Sequence, residues 1–204
     1  METSTATPEV ELYPRLAGKV VLMKERLEQL REQLVRTYGV KVHTDALDVC
    51  STDSVSAFFA SLPADLSEID VLVNNAGAIA ALGVVSQIFP RGVAGIEAYK
   101  GGSIYCASKH AVQAITKSQR KELVHTPLRV TSICPGLVET EFSLVRFKGD
   151  TGKASEPYKG LEPLLARDVA DAVAYAASRP PHVQVADLLI FPTNQASSEI
   201  VHRA

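Results

Sequence analysis

Tyr105 and Lys109 stand four residues apart in the run Gly-Gly-Ser-Ile-Tyr-Cys-Ala-Ser-Lys-His-Ala-Val, residues 101–112. On a helix that spacing stacks the two side chains on one face. A phenol has an unperturbed pKa of about 10 and donates its proton poorly near neutrality. An ammonium held beside it favours the phenolate and draws that value toward the working pH. The pair can then pass a proton to or from the oxygen of a carbonyl or an alcohol. Taken alone, the spacing is weak evidence, since a half-buried Tyr beside a solvated Lys is the ordinary outcome of such a motif. Its surroundings carry the weight.

Such a pair needs a helix, read over residues 104–124, and the helix needs a sheet to rest on. Residues 19–23 form a short apolar strand leading straight into a helix over 24–38. Leu27, Leu30 and Leu34 mark one stripe of that helix, and Gly39 is its stop. Glu32 and Arg36 are an i,i+4 pair of its solvated face. Residues 40–49 read as a strand. Residues 51–62 read as a helix with a Ser or Thr cap and Val55, Phe58, Phe59 and Leu62 toward the core. A strand over 71–76 follows, then an irregular stretch over 78–102. Beyond the Tyr–Lys helix come a strand at 129–134, a polar loop, a helix at 167–178 and a strand at 187–192. This alternation argues for an α/β fold whose parallel sheet is covered on both faces.

Composition narrows the setting. With 204 residues, 46% hydrophobic and 22% charged, the chain reads as a single domain over residues 1–204. A net charge of -2 and a pI near 6.2 give no reason to expect nucleic acid or an anionic membrane as partner. The first ten residues are polar, and no apolar run approaches the roughly 20 residues of a membrane helix. Cytoplasmic placement is the expectation, and it agrees with three scattered cysteines, Cys50, Cys106 and Cys134. The histidines show no metal-ligand spacing, so no metal site is expected.

Three features surround the pair and make a set of four with it. Residues 69–77, Ile-Asp-Val-Leu-Val-Asn-Asn-Ala-Gly, are an apolar strand running into Asn-Asn-Ala-Gly. Residues 129–140 are a strand ending in Pro-Gly-x-x-x-Thr, and Leu47-Asp48-Val49 closes an earlier strand. With Tyr-x-x-x-Lys, this set resembles the short-chain dehydrogenase/reductase family. From Tyr105 through residues 139–150 to Arg-Pro-Pro-His-Val at 179–183, the chain is similar to the branch that oxidises small 3-hydroxy acids with NADP. The resemblance covers residues 16–196.

It implies that Tyr105 moves the substrate's hydroxyl proton, while Lys109 tunes it and grips the cofactor ribose. Asp48 resembles the residue that meets the adenine ring. Asn75, Ala76 and Gly77 resemble the turn that braces the central sheet near the cofactor. Pro135, Gly136 and Thr140 resemble the nicotinamide-side turn. Arg146 and Lys148 sit in what resembles the substrate lid, where Arg146 could hold a carboxylate. The partners implied are NADP and a small hydroxy acid or its carbonyl, with self-assembly left open.

Two segments of the family pattern are missing. The Gly-rich phosphate turn should follow a strand like residues 19–22, yet no glycine lies between Gly18 and Gly39. A first crossover helix and second strand are absent with it, about 30 residues by the size of a βαβ unit. The residue that separates NADP from NAD falls in that gap. Between Gly77 and Tyr105 the family has a helix bearing a catalytic Asn and a strand ending in a catalytic Ser, thirteen residues before the Tyr. Here that position is Gly92; Ser86 and Ser103 are the nearest hydroxyls and neither matches.

The family's sheet runs 3-2-1-4-5-6-7. Expected, then, is an incomplete Rossmann-like three-layer sandwich with a parallel sheet lacking two strands, the second and fifth, and unpaired edges beside each. Hydride-transfer chemistry is expected to be impaired or lost. Two rivals stay open: a non-catalytic partner of a full-length relative, and a chain from misjoined coding segments without a stable fold.

Overall fold

The computed structural model describes residues 21–23, 28–45, 47, 51–73, 86–90, 92–140, 143–144 and 147–204. The elements are β1 (Val21–Met23), α1 (Glu28–Tyr38), α2 (Thr52–Ser61), β2 (Val71–Val73) and β3 (Ser86–Pro90). They continue with α3 (Ser103–Glu122), β4 (Arg129–Pro135), β5 (Val138–Glu139) and α4 (Thr151–Ser155). The last are β6 (Leu164–Leu165), α5 (Ala166–Ala177) and β7 (Asp187–Ile190).

Local chemistry sets the helix ends. The Ser51 hydroxyl accepts from the Ser54 N–H at 3.2 Å, satisfying one orphan donor at the start of α2. Gly39, at φ 64°, closes α1 in the left-handed conformation that glycine alone adopts without cost, and its N–H donates to the Val35 carbonyl. Asp150 caps α4, and the Asp168 carboxylate accepts from the Leu165 N–H at 2.7 Å before α5.

Five strands form one sheet in the order β1-β2-β3-β4-β7, every pair parallel. β5 and β6 make a separate parallel pair. Alternation along the strands decides which layer each residue joins. Val71, Val73 and Ile133 pack with Ala172, Ala176 and Ala177 of α5. Leu72 turns to the opposite face, where Phe59 and Leu62 of the α2 region meet it, and Val130 packs there with Val112 of α3. The sheet is therefore sandwiched between α5 and the layer of α2 and α3. Among the described residues, no helix is long and apolar enough to cross a membrane.

Arg129 ties two layers together. Its guanidinium donates to the carbonyls of Ala177 at 2.9 Å, Arg179 at 3.0 Å and Ala176 at 3.5 Å, at the C-terminal end of α5, where the helix's own amides run out. Gln184 supports the same strand from its side chain, donating to the Val130 carbonyl and accepting from the Val130 N–H.

Among the described residues the main sheet has five strands where the family has seven, but the vacancy expected between β2 and β4 does not exist. Residues 78–102, expected to be irregular, supply β3, which pairs with β2 on one side and β4 on the other. A vacant slot would leave buried amides and carbonyls unpaired at about 1–3 kcal/mol each, and a parallel strand removes that cost whatever its side chains. The second correction concerns residues 40–49. Residues 40–45 and 47 carry no strand. In the family order that strand pairs with the second one, and without its neighbour an extended segment has no ladder to join.

Candidate active site

α3 starts at a paired glycine. Gly101 takes φ 80°, and a Cβ on Gly102 would lie 2.4 Å from the Tyr99 ring, so the ring seats directly on the helix start. From there Tyr105, Lys109, Val112 and Thr116 recur at i, i+4, i+7 and i+11, one stripe of the helix. Val112 and Thr116 are buried toward the sheet. Tyr105 and Lys109 occupy the same stripe nearer the helix start, by the carboxyl ends of the parallel strands. Open α/β sheets take their ligands in the crevice outside those ends.

Three elements converge there. Gly92 follows β3 by two residues, Pro135 ends β4, and Tyr105 reaches over both. A Cβ placed on Gly92 would lie 4.0 Å from the Tyr105 hydroxyl and 3.7 Å from the Pro135 carbonyl, with no other atom of the described residues within 4 Å. The position the family fills with serine thus does face the phenol, and it presents only hydrogen. Gly92 sits at φ 68° and ψ 163°, a conformation essentially confined to glycine. Ser103, the nearest downstream hydroxyl, is exposed on the first turn of α3 and does not stand in for it.

Lys109 Nζ lies 5.5 Å from the centre of the Tyr105 ring, within cation–π range. It makes no hydrogen bond or ion pair with the described residues. Burial alone acts on the ammonium, about half removed from water, and pushes its pKa below 10.5. Tyr105 itself is 37% exposed, open to a ligand from outside.

Pro135 and Gly136 form a turn whose geometry is fixed by residues the sequence reading missed. The Gly136 N–H donates to the Ile190 carbonyl at 2.8 Å. A Cβ on Gly136 would come within 2.3 Å of Gln195 Oε1 and 2.5 Å of the Phe191 ring. Gln195 is 5% exposed; its Oε1 accepts from the Leu137 N–H and its Nε2 donates to the Ser197 carbonyl. Glu97, five residues past Gly92, accepts from the Ser198 N–H at 2.7 Å, so the same C-terminal segment braces both sides of the cleft.

Thr140 is exposed beyond β5. Asp48, Asn75, Ala76, Gly77 and Arg146 lie outside the described residues, and so does the connection from β1 to α1. Lys148, in the expected lid, is exposed at φ 53°. Elsewhere, two open surface hollows of about 440 and 510 Å³ are rich in Lys and Arg. Lys153 and Lys159 in the first are already paired with Asp150 and Glu156, and Arg203 with the carbonyls of Lys159 and Pro157.

Comparison with known proteins places this architecture. The short chain dehydrogenase family profile matches residues 15–91 and 88–149. The NADP-dependent 3-hydroxy acid dehydrogenase of Schizosaccharomyces pombe is 34% identical over 224 aligned positions, covering 91% of this chain and 86% of that one. Those positions outnumber the 204 residues of the chain itself. Sulfoacetaldehyde reductase 2 of Chromohalobacter salexigens is 34% identical over 86% of this chain and 83% of its own. Among solved structures, the closed form of serine dehydrogenase complexed with NADP+ superposes with a TM-score of 0.78 at 31% identity, covering 96% of this chain and 94% of that one.

A dinucleotide such as NADP+ would meet two ends of this site. At the Tyr105 end it fits: Gly92 adds no side chain there, and among the described residues the Lys109 ammonium has no hydrogen-bond or ion-pair partner to displace. At the pyrophosphate end it does not. β1 reaches α1 through Lys24-Glu25-Arg26-Leu27, which contains none of the glycines that bring backbone amides against phosphate.

Proposed function

The chain belongs to the short-chain dehydrogenase/reductase family, and on that premise we propose an oxidoreductase by descent whose ancestral reaction is impaired here. That reaction is the NADP-dependent oxidation of a small 3-hydroxy acid, or reduction of the matching carbonyl. Gly92 is the observation that carries the reading. In this reading Tyr105 Oη exchanges a proton with a substrate oxygen, and Lys109, its Nζ 5.5 Å from the centre of the ring, tunes it. The group that should donate a second hydrogen bond to that oxygen is reduced to a hydrogen atom. One such preorganised donor is worth about 10²–10³ in rate. Loss of the glycine-rich turn weakens nucleotide binding in addition. The chain is read as one truncated domain, placed in the cytoplasm, acting on small molecules.

Titrating NADPH by its fluorescence and following turnover of L-serine tests this. The expected outcome is weak binding and turnover at least about a hundredfold below a full-length relative. Micromolar binding with turnover at the relative's rate refutes it.

A second reading, a non-catalytic partner of a full-length relative, draws on the flank of α3. Ile104 and Val124, at either end of that helix, are 83% and 80% exposed. Co-purification with such a relative is its expected signature, and a lone monomer in sizing chromatography counts against it.

A further inference from the structure

One arrangement among the described residues could react without a nucleotide. Lys109 carries an amine that no described residue pairs, half withdrawn from water beside a phenol. Tyr105 lies one helical turn before it, its ring 5.5 Å from Nζ and 37% exposed. In front of the phenol hydroxyl, the missing side chain of Gly92 leaves open space bounded by the Pro135 carbonyl. An amine, a proton donor and room for a small electrophile are the requirements for imine chemistry. Lys41, Lys153 and Lys159 lack that combination, each being paired with a carboxylate at an exposed site.

We propose that Lys109, with Tyr105 as its proton donor, captures a small aldehyde as an imine in the space beside Gly92. The neutral amine attacks the carbonyl carbon, forming a C–N bond while the π pair moves to oxygen. That oxygen takes the Tyr105 hydroxyl proton to give a carbinolamine. Nitrogen then loses a proton to the phenolate, restoring Tyr105. Tyr105 then protonates the carbinolamine hydroxyl, which leaves as water while the nitrogen lone pair completes C=N, and the resulting iminium returns its N–H proton to the phenolate. Aldehyde and amine become imine and water, with no oxidant or reductant consumed. Burial favours the neutral amine at ordinary pH and so raises the reactive fraction.

This inference uses the same pair as the proposed oxidoreductase reading but no cofactor, so the two fail separately: one by NADPH titration, the other by labelling without nucleotide. The probe is propanal with cyanoborohydride, which converts the imine to a stable secondary amine, read by peptide mass spectrometry. Lys117 and Lys121, exposed on the same helix, are internal controls. Lys109 is expected to label at least about tenfold faster than either, and Tyr105→Phe to remove most of that advantage, general acids contributing about 10²–10⁴. Equal rates at Lys109, Lys117 and Lys121 overturn the proposal. So does an advantage that survives Tyr105→Phe in a variant with parental circular dichroism. Should that variant not fold, the ratio of Lys109 to its two controls in the unsubstituted protein decides alone.

Discussion

Gly92 is where fold and chemistry make opposite demands, and replacing it by Ala and by Ser separates them. At φ 68° and ψ 163° any side chain strains the backbone, by about 1–3 kcal/mol. No steric collision adds to this, because the nearest atoms to a Cβ stand at 3.7 and 4.0 Å, ordinary contact distances. A central value of about 2 kcal/mol lowers the melting temperature of a domain this size by about 4–8 °C. Gly92→Ala should show that loss in full. Gly92→Ser should recover part of it. Its Oγ, one bond beyond a Cβ that lies 4.0 Å from Tyr105 Oη, can turn into hydrogen-bonding range, and such a bond contributes about 0.5–1.5 kcal/mol. The same hydroxyl stabilises the phenolate, so Tyr105 should ionise at lower pH in the Ser variant than in the Ala variant. Thermal melts give the first quantity. Ultraviolet difference titration against a Tyr105→Phe background gives the second. An Ala variant that melts with the parent refutes the strained conformation of Gly92. Ser and Ala variants alike in both measurements refute the convergence of Gly92 on the phenol.

Two further outcomes test the parts that hold this site. Lys109 has its folded-state pKa lowered by burial, so the unfolded chain binds that proton more tightly. Its charge therefore opposes folding below the folded-state pKa, and the penalty fades as pH rises toward the unfolded value of 10.5. Lys109→Met should be more stable than the parent near neutrality, with the difference shrinking on alkaline titration; urea unfolding at several pH values reads it, and a difference constant with pH contradicts it. Arg129→Ala should cost about 2–3 kcal/mol by removing a charged donor from the carbonyls ending α5, each such bond contributing about 1.5–3 kcal/mol without additivity. Arg129→Lys should regain less than half, since one ammonium cannot span three carbonyls held by a planar fork; a lysine variant with parental stability would show that the fork is irrelevant.

The features legible in the sequence were those written locally. The Ser51 cap, the Gly39 stop, and the Val55–Phe58–Phe59–Leu62 stripe announce their helices through hydrogen bonding, backbone freedom and period. The run from Val130 to Cys134, with β-branched Val130, Thr131 and Ile133, announces a strand. β3 announces nothing. Ser86-Gln87-Ile88-Phe89-Pro90 has no clear alternation, and its proline reads as a breaker, tolerable only because it ends the strand. Its conformation comes from the two ladders waiting at β2 and β4, which no local window contains. Gln195 was invisible for the same reason, its partners lying at Leu137 and Ser197. The distinction bears on function. A ladder asks only for amides and carbonyls, so nearly any segment of the right length can complete the sheet and carry Gly92 to the cleft. Catalysis asks for a particular side chain at the end of that segment, and no neighbouring backbone can supply it. A chain of this kind can therefore keep a continuous sheet and the Tyr105–Lys109 pair while lacking the hydroxyl between phenol and substrate. Evidence of a whole sheet is accordingly no evidence of a whole active site.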